Sequence, residues 1–162
     1  MSKKKSAGLL LYRESPNDAG FEVLIVHPGG PFWRNKDIGA WTIPKGEFDD
    51  GEDPLNAAKR EFKEETGVAP PEGEFIPLNP IKQANGKTVY AWAINGDFDS
   101  SDLRSNTFPI EWPPKSGRLQ EFPEVDRAAW LSPQVAKEKM IKGQASLIDQ
   151  LSTILQTKDG QS

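Results

Sequence analysis

Three glutamates in the segment REFKEETG, residues 60–67, are the side chains best placed to do chemistry. If the segment is helical, Glu61, Glu64 and Glu65 lie at positions i, i+3 and i+4 and share one face. A helix gains nothing from this arrangement, because Glu61 and Glu65 form a like-charge pair that costs about 0.2–0.5 kcal/mol. The C-terminal end of a helix also favours cations over anions. The spacing therefore suggests that a cation compensates these charges.

Carboxylate oxygens within one helical turn are typical ligands of a hard divalent cation. Mg²⁺ prefers octahedral oxygen coordination and completes its shell with water and substrate phosphates. Such a site could bind a polyphosphate and activate a water molecule, with a neighbouring glutamate as the proton acceptor. The chain has no cysteine and one histidine, His27, which argues against zinc. A segment rich in Glu and Lys is also typical of a solvated helix face without metal, so EFKEE alone leaves both interpretations open.

The helix that carries the glutamates is predicted over residues 54–66. Asp53 is a suitable N-cap, Pro54 occupies the first turn, and Gly67 suits a left-handed C-terminal stop. The apolar stripe of this helix consists of Leu55, Ala58 and Phe62. The glutamates flank this stripe, so we expect them at the edge of the contact with a sheet.

The other apolar segments predict an α/β fold with a mixed central sheet and helices on both faces. Predicted strands cover residues 7–13, 21–27, 40–44, 87–94 and 127–132. A short helix is predicted from SPQVAKEKM and an amphipathic helix over 143–157, whereas 15–20, 28–39, 45–53 and 95–106 are predicted turns or loops. We expect one domain over residues 1–162, with a frayed tail at 158–162.

The charge of the chain is concentrated in one place. Residues 47–65 contain eight acidic and three basic side chains, whereas the whole chain has a net charge of −4. This patch would repel a polyanion unless a cation intervened. The N-terminal apolar run is too short for a signal peptide, no stretch has transmembrane length, and KKK at 3–5 is too small to indicate a nucleic-acid partner. We expect a cytoplasmic protein that binds neither membrane nor nucleic acid.

The segment from Gly46 to Val68, GEFDDGEDPLNAAKREFKEETGV, has a specific spacing of glycine and charged residues. Gly46 is followed by five residues and Glu52, and then by seven residues and the run REFKEETGV. This pattern resembles the signature box of the Nudix hydrolase superfamily at every defined position, although Phe62 is bulkier than the usual aliphatic residue. The resemblance implies an α/β/α sandwich and cleavage of a diphosphate linked to another moiety, with Mg²⁺ or possibly Mn²⁺ as cofactor.

The resemblance also implies roles for individual residues. Glu61, Glu64 and Glu65 would be metal ligands, and one of them a possible base. The Gly46 carbonyl would be a further ligand, and Arg60 and Glu52 would form an ion pair that braces the loop against the helix. A fourth carboxylate often comes from outside the box in this superfamily. Glu121 is our predicted fourth ligand, with Glu124 as the alternative.

Residues outside the box are candidates for substrate contacts. Lys45 either reaches a substrate phosphate or is an ordinary loop lysine. In the loop GGPFWRNKD, Trp33 could stack on a base while Arg34 neutralises phosphate, or the aromatic residues could simply pack at a rim. His27 ends a strand facing this loop, and either contacts substrate or supports the structure. Trp41 and Trp92 are expected in the core.

The combined prediction is a Mg²⁺-dependent diphosphohydrolase that cleaves a phosphoanhydride bond of a small-molecule nucleoside polyphosphate. Dinucleoside polyphosphates such as diadenosine tetraphosphate are the leading substrate class, because SAGLLLYR and WTIPKGE generally resemble that branch. Nucleoside triphosphates, ADP-ribose, capped RNA ends and diphosphoinositols remain alternatives. A non-catalytic Nudix-like binding or sensor domain is the alternative from another class.

Overall fold

A mixed sheet built around one buried strand organises the computed structural model, which describes residues 4–15 and 20–159. Strand β1 (Lys5–Glu14) pairs in parallel with β6 (Thr88–Asn95) and antiparallel with β2 (Phe21–Pro28). β2 pairs antiparallel with β9 (Val125–Leu131), and β3 (Lys45–Glu47) pairs with β1. Two short strands, β4 (Ile76–Pro77) and β5 (Ile81–Lys82), pair with β6. The near-continuous burial of β1 agrees with a strand covered on both faces.

Helices cover both faces of this sheet. Alternate β1 residues such as Leu9 pack against Phe62 of helix α1 (Pro54–Thr66). On the other face, Leu10 belongs to a cluster with residues of α2 (Pro133–Lys139) and α3 (Ala145–Asp159). The predicted α/β sandwich with a mixed central sheet is confirmed, since the sheet contains parallel and antiparallel pairs and has helices on both faces. Within the described residues, no helix has the length and apolar character needed to cross a membrane.

Helix α1 begins and ends at the predicted residues. The Asp53 side chain accepts a hydrogen bond from the Asn56 backbone N–H at 3.0 Å. Gly67 has a φ of 80°, and its N–H donates to the Lys63 carbonyl at 2.7 Å. A Cβ at Gly67 would lie 2.5 Å from the Arg104 carbonyl oxygen, so glycine is required both by the backbone angle and by the neighbouring chain.

Several predicted boundaries differ from the structure. β1 begins at Lys5, two residues early, and the predicted strand 40–44 is reduced to isolated bridges at Trp41 and Thr42. The predicted loop 45–53 begins with β3, because these residues pair with β1. A hairpin of β7 (Thr107–Glu111) and β8 (Leu119–Pro123) was not predicted, because its alternation is weak and proline interrupts β7. The predicted turn at 15–20 falls largely on 16–19, outside the described residues, as do 160–162 of the tail.

Candidate active site

The C-terminal half of α1 lies against strand β3. Glu61 is 9% exposed, and its carboxylate packs so closely on Gly46 that any Cβ at this position would collide with it. Glu65 Oε1 accepts a hydrogen bond from the Lys45 backbone N–H at 3.2 Å. Glu61 and Glu65, the unfavourable pair along the helix, thus both contact β3.

Arg60 forms the ion pair that the family resemblance implies. Its Nε and Nη2 donate to the two carboxylate oxygens of Glu52, each at 3.0 Å. Its Nη1 lies 3.3 Å from Glu61 Oε2 and 3.5 Å from Glu64 Oε1. The bidentate contact fixes the loop against the helix, and the remaining nitrogen partly compensates two of the site carboxylates.

Burial, with a smaller contribution from neighbouring charges, disfavours the ionised forms of three of the site carboxylates. Burial, followed by the hydrogen bond and charge of Glu64, raises the pKa of Glu61 to about 7. Burial also raises the pKa of Glu65 to about 8, with smaller contributions from the charges of Glu61 and Glu124, while Lys45 opposes the shift. Burial and the Glu64 charge raise the pKa of Glu124. Four carboxylates therefore share one electrostatic environment.

These residues fit a hard divalent cation by their chemistry. All the side-chain donors are carboxylate oxygens, and a divalent cation would relieve the repulsion between them. Within residues 4–15 and 20–159, however, no three Asp, Glu, His or Cys side chains already converge as ligands around one point. Arg60 occupies hydrogen-bonding positions of both Glu61 and Glu64.

The structure places Glu124, and not the predicted Glu121, beside the helix glutamates. Glu121 is exposed within β8, opposite Pro109, whereas Glu124 is half-buried in the one-residue break before β9. The charge of Glu124 acts on Glu61 and Glu65. This position favours Glu124, the alternative considered from the sequence, over Glu121 as the candidate fourth ligand, because Glu124 lies where the hairpin ends.

The segment Arg104–Asn106 joins Glu124 to the end of α1. The Arg104 N–H donates to the Thr66 carbonyl at 2.8 Å, and the Asn106 N–H donates to the Glu64 carbonyl at 2.9 Å. The Asn106 carbonyl then accepts from the Glu124 N–H at 2.8 Å. The segment thus satisfies carbonyls at the helix terminus and holds the fourth carboxylate near the other three. No sequence pattern indicated this role.

Lys45 lies at the border of the acidic cluster. Burial lowers its pKa from the usual value, and the charge of Glu65 opposes that change. Its side chain also experiences the charges of Lys87 and Glu61. This position is compatible with the predicted phosphate contact, which remains a prediction.

The His27 side chain lies in the interior, which does not favour the substrate contact considered from the sequence. The ring is fully buried, with Nδ1 2.8 Å from Asp126 Oδ1 and Nε2 2.6 Å from the Lys36 carbonyl oxygen. It also packs edge-on against Trp41, with ring centroids 5.2 Å apart. His27 instead anchors the loop that follows β2, which is the structural alternative considered from the sequence.

The loop anchored by His27 exposes its aromatic and basic residues. Phe32 is 58% exposed, Trp33 is 39% exposed, and Arg34 is also exposed. Lys36 Nζ lies 5.2 Å from the centroid of the Trp33 ring.

The two tryptophans expected in the core differ in outcome, since Trp41 is buried and Trp92 is only half-buried.

Comparison with known proteins identifies the family of this chain. A model of the NUDIX domain matches residues 3–151 of the chain. The chain belongs to the NUDIX family. The predicted family is therefore confirmed, and NUDIX proteins generally use divalent metal ions.

Named relatives of this NUDIX chain are hydrolases of nucleotide derivatives. An 8-oxo-(d)GTP phosphatase of Mycolicibacterium smegmatis is 29% identical over 148 residues, which cover 84% of this chain and 37% of the relative. An asymmetrical bis(5'-nucleosyl)-tetraphosphatase of Rattus norvegicus is 42% identical over 97 residues, 54% of this chain and 62% of the relative. The chain thus spans less than two thirds of the length of either.

A solved structure shows the shared fold over nearly the whole chain. The C. elegans Ap4A hydrolase binary complex superposes with a TM-score of 0.62 at 24% identity, covering 95% of this chain and 98% of that one. At this identity the similarity establishes the NUDIX fold.

Proposed function

We propose that this NUDIX chain hydrolyses a phosphoanhydride bond of nucleoside polyphosphates with the help of a divalent cation, Mg²⁺ being the first candidate. The observation that carries this proposal is the cluster of four carboxylates, Glu61, Glu64, Glu65 and Glu124, whose charges act on one another at the end of α1. Carboxylates with raised pKa values in one place are typical of functional sites, and a bound cation would offset their mutual repulsion.

Each residue of the site has a defined task in this proposal. The four carboxylates, together with the Gly46 carbonyl, would hold the cation, which would polarise the phosphate and activate water. A glutamate that is not ligating would accept the water's proton. The Arg60–Glu52 pair keeps the loop and helix in register, and Lys45 would neutralise phosphate charge.

Dinucleoside polyphosphates are the proposed substrate class. The rat relative, whose name specifies asymmetrical cleavage of a bis-nucleosyl tetraphosphate, supports this choice at 42% identity. The exposed Trp33 and Arg34 offer a stacking surface and a cation for one nucleotide. A single nucleoside triphosphate is the second candidate, because the mycobacterial relative is a phosphatase of 8-oxo-(d)GTP.

A substrate panel with Mg²⁺, with products separated by chromatography, tests both levels of the proposal. We expect diadenosine tetraphosphate to be cut to ATP and AMP, and Glu64→Gln to lower kcat by at least a hundredfold. Cleavage of other diphosphates alone would support the proposed reaction class and contradict dinucleoside polyphosphates as the substrate. A wild type as inert as Glu64→Gln across the panel would favour a non-catalytic NUDIX binding domain.

A further inference from the structure

The β7–β8 hairpin and the segment Gly29–Phe32 form an arm that starts at the acidic site. At its base, the Gly29 N–H donates to the Glu124 carbonyl at 2.9 Å. Further along, a Cβ at Gly30 would lie 3.4 Å from Ile110 Cδ1. The segment therefore runs beside the hairpin, away from the fourth carboxylate.

An aromatic pair lies towards the tip of this arm. The Phe32 and Trp112 rings meet edge to face, with centroids 5.6 Å apart and an interplanar angle of 85°. Trp112 continues β7, and its N–H donates to the Arg118 carbonyl at 3.0 Å across the hairpin. The tip therefore holds an exposed phenyl ring in a fixed orientation, although neither strand was recognised from the sequence.

The length of the arm keeps Phe32 within one nucleotide's reach of the acidic site. Phe32 is three residues from Gly29, a chain distance of at most about 11 Å. Trp112 is five residues from Thr107, about 17 Å along an extended strand. Phe32 thus lies no farther from the backbone at Glu124 than a ribose and several phosphates can bridge.

The chemistry of the tip favours a nucleobase with attached phosphates. Phe32 is 58% exposed, so much of its ring surface is accessible to a ligand. Aromatic rings stack on any base, and nearby cations add attraction to the phosphates. Arg34 follows two residues after Phe32, and Arg118 is paired with Trp112 across the hairpin.

We propose that Phe32, held edge-on by Trp112, stacks on the second nucleoside of a dinucleoside polyphosphate. The arm thereby distinguishes substrates with two nucleosides from those with one. This inference rests on the proposed function and specifies how that function selects its substrate.

The test compares diadenosine tetraphosphate with adenosine tetraphosphate in wild type and Phe32→Ala. We expect KM for the dinucleoside to rise about tenfold with kcat changed less than twofold, as loss of one stacked base predicts. The KM of adenosine tetraphosphate as a substrate, or its Ki as a competitive inhibitor, should not change. Ile38→Ala is the matched control, since Ile38 is a 70% exposed apolar residue in the same loop but outside the arm.

Substitutions of Trp112 separate ring positioning from general structure. Trp112→Ala should raise KM for the dinucleoside, whereas Trp112→Phe, which retains an aromatic edge, should restore most of the affinity. Equal effects of Phe32→Ala on KM for both nucleotides, or no effect on either KM, would overturn the proposed role of the arm. Either result would leave the proposed function intact. A wild type that cleaves no dinucleoside polyphosphate would overturn the proposed substrate, and the arm's role with it.

Discussion

At the scale of single residues, two close contacts define the site and its border. Gly46 has no side chain because the Glu61 carboxylate occupies the space where a Cβ would be. His27 is buried between two hydrogen-bond acceptors, the Asp126 carboxylate and the Lys36 carbonyl.

Gly46→Ala should inactivate the protein with little loss of stability. The added methyl group would displace Glu61, and we expect kcat with Mg²⁺ to fall at least tenfold, because a ligand shifted by about 1 Å costs that much or more. Gly51→Ala is the matched control, since a Cβ at Gly51 would meet nothing within 4 Å in the same loop. Equal activity of the two variants would contradict the role of this contact.

His27→Phe should destabilise the protein and loosen the loop that carries Phe32 and Trp33. The substitution removes the hydrogen bonds of the His27 ring to the Lys36 carbonyl and to the part-buried Asp126 carboxylate, each worth about 0.5–1.5 kcal/mol. Urea unfolding measures the loss. Asp126→Asn keeps an oxygen acceptor and should cost less, and a smaller effect of His27→Phe than of Asp126→Asn would argue against the anchoring role.

At the scale of elements, α1 is fixed at both ends by independent means. Its N-terminus is capped locally by Asp53, whereas its C-terminus meets the distant segment Arg104–Asn106. The start and stop residues were readable from the sequence because capping depends on near neighbours. The partner of the C-terminus was not readable, since it comes from a loop almost forty residues away.

Gly67→Ala should be more destabilising than Gly86→Ala. Both glycines have left-handed backbones, with φ of 80° and 86°, which cost alanine about 1–2 kcal/mol. Only at Gly67 would the Cβ also collide with the Arg104 carbonyl, while Gly86 has open space. Chemical denaturation should show the difference. Equal losses in the free energy of unfolding would mean that the Arg104 segment moves to accommodate the methyl group and does not hold the end of the helix in place.

At the scale of the whole molecule, the acidic cluster couples stability to pH and to metal. The folded-state pKa values of Glu61, about 7, and Glu65, about 8, lie above their ordinary value of 4.5. The folded state therefore binds these protons more tightly, and this stabilisation is lost as pH rises from about 4.5 through 8.

The Tm of the metal-free protein should accordingly fall relative to Glu65→Gln as pH increases from 5 to 8. Adding Mg²⁺ should raise the Tm more at pH 8 than at pH 5, since only ionised carboxylates bind it well. Differential scanning fluorimetry with EDTA or Mg²⁺ measures both effects. A pH-independent difference between wild type and Glu65→Gln would contradict the raised pKa of this carboxylate.

The sequence by itself determined the α/β class, the limits of α1, the NUDIX signature and the proximity of three glutamates. These features depend on helical periodicity, capping residues and fixed spacing, which act over a few residues. The tertiary structure alone decided that Glu124 joins them, that His27 is an anchor, and that Phe32 meets Trp112. Those outcomes depend on contacts between residues far apart in the chain, whose geometry follows from how the hairpin, loop and sheet pack together.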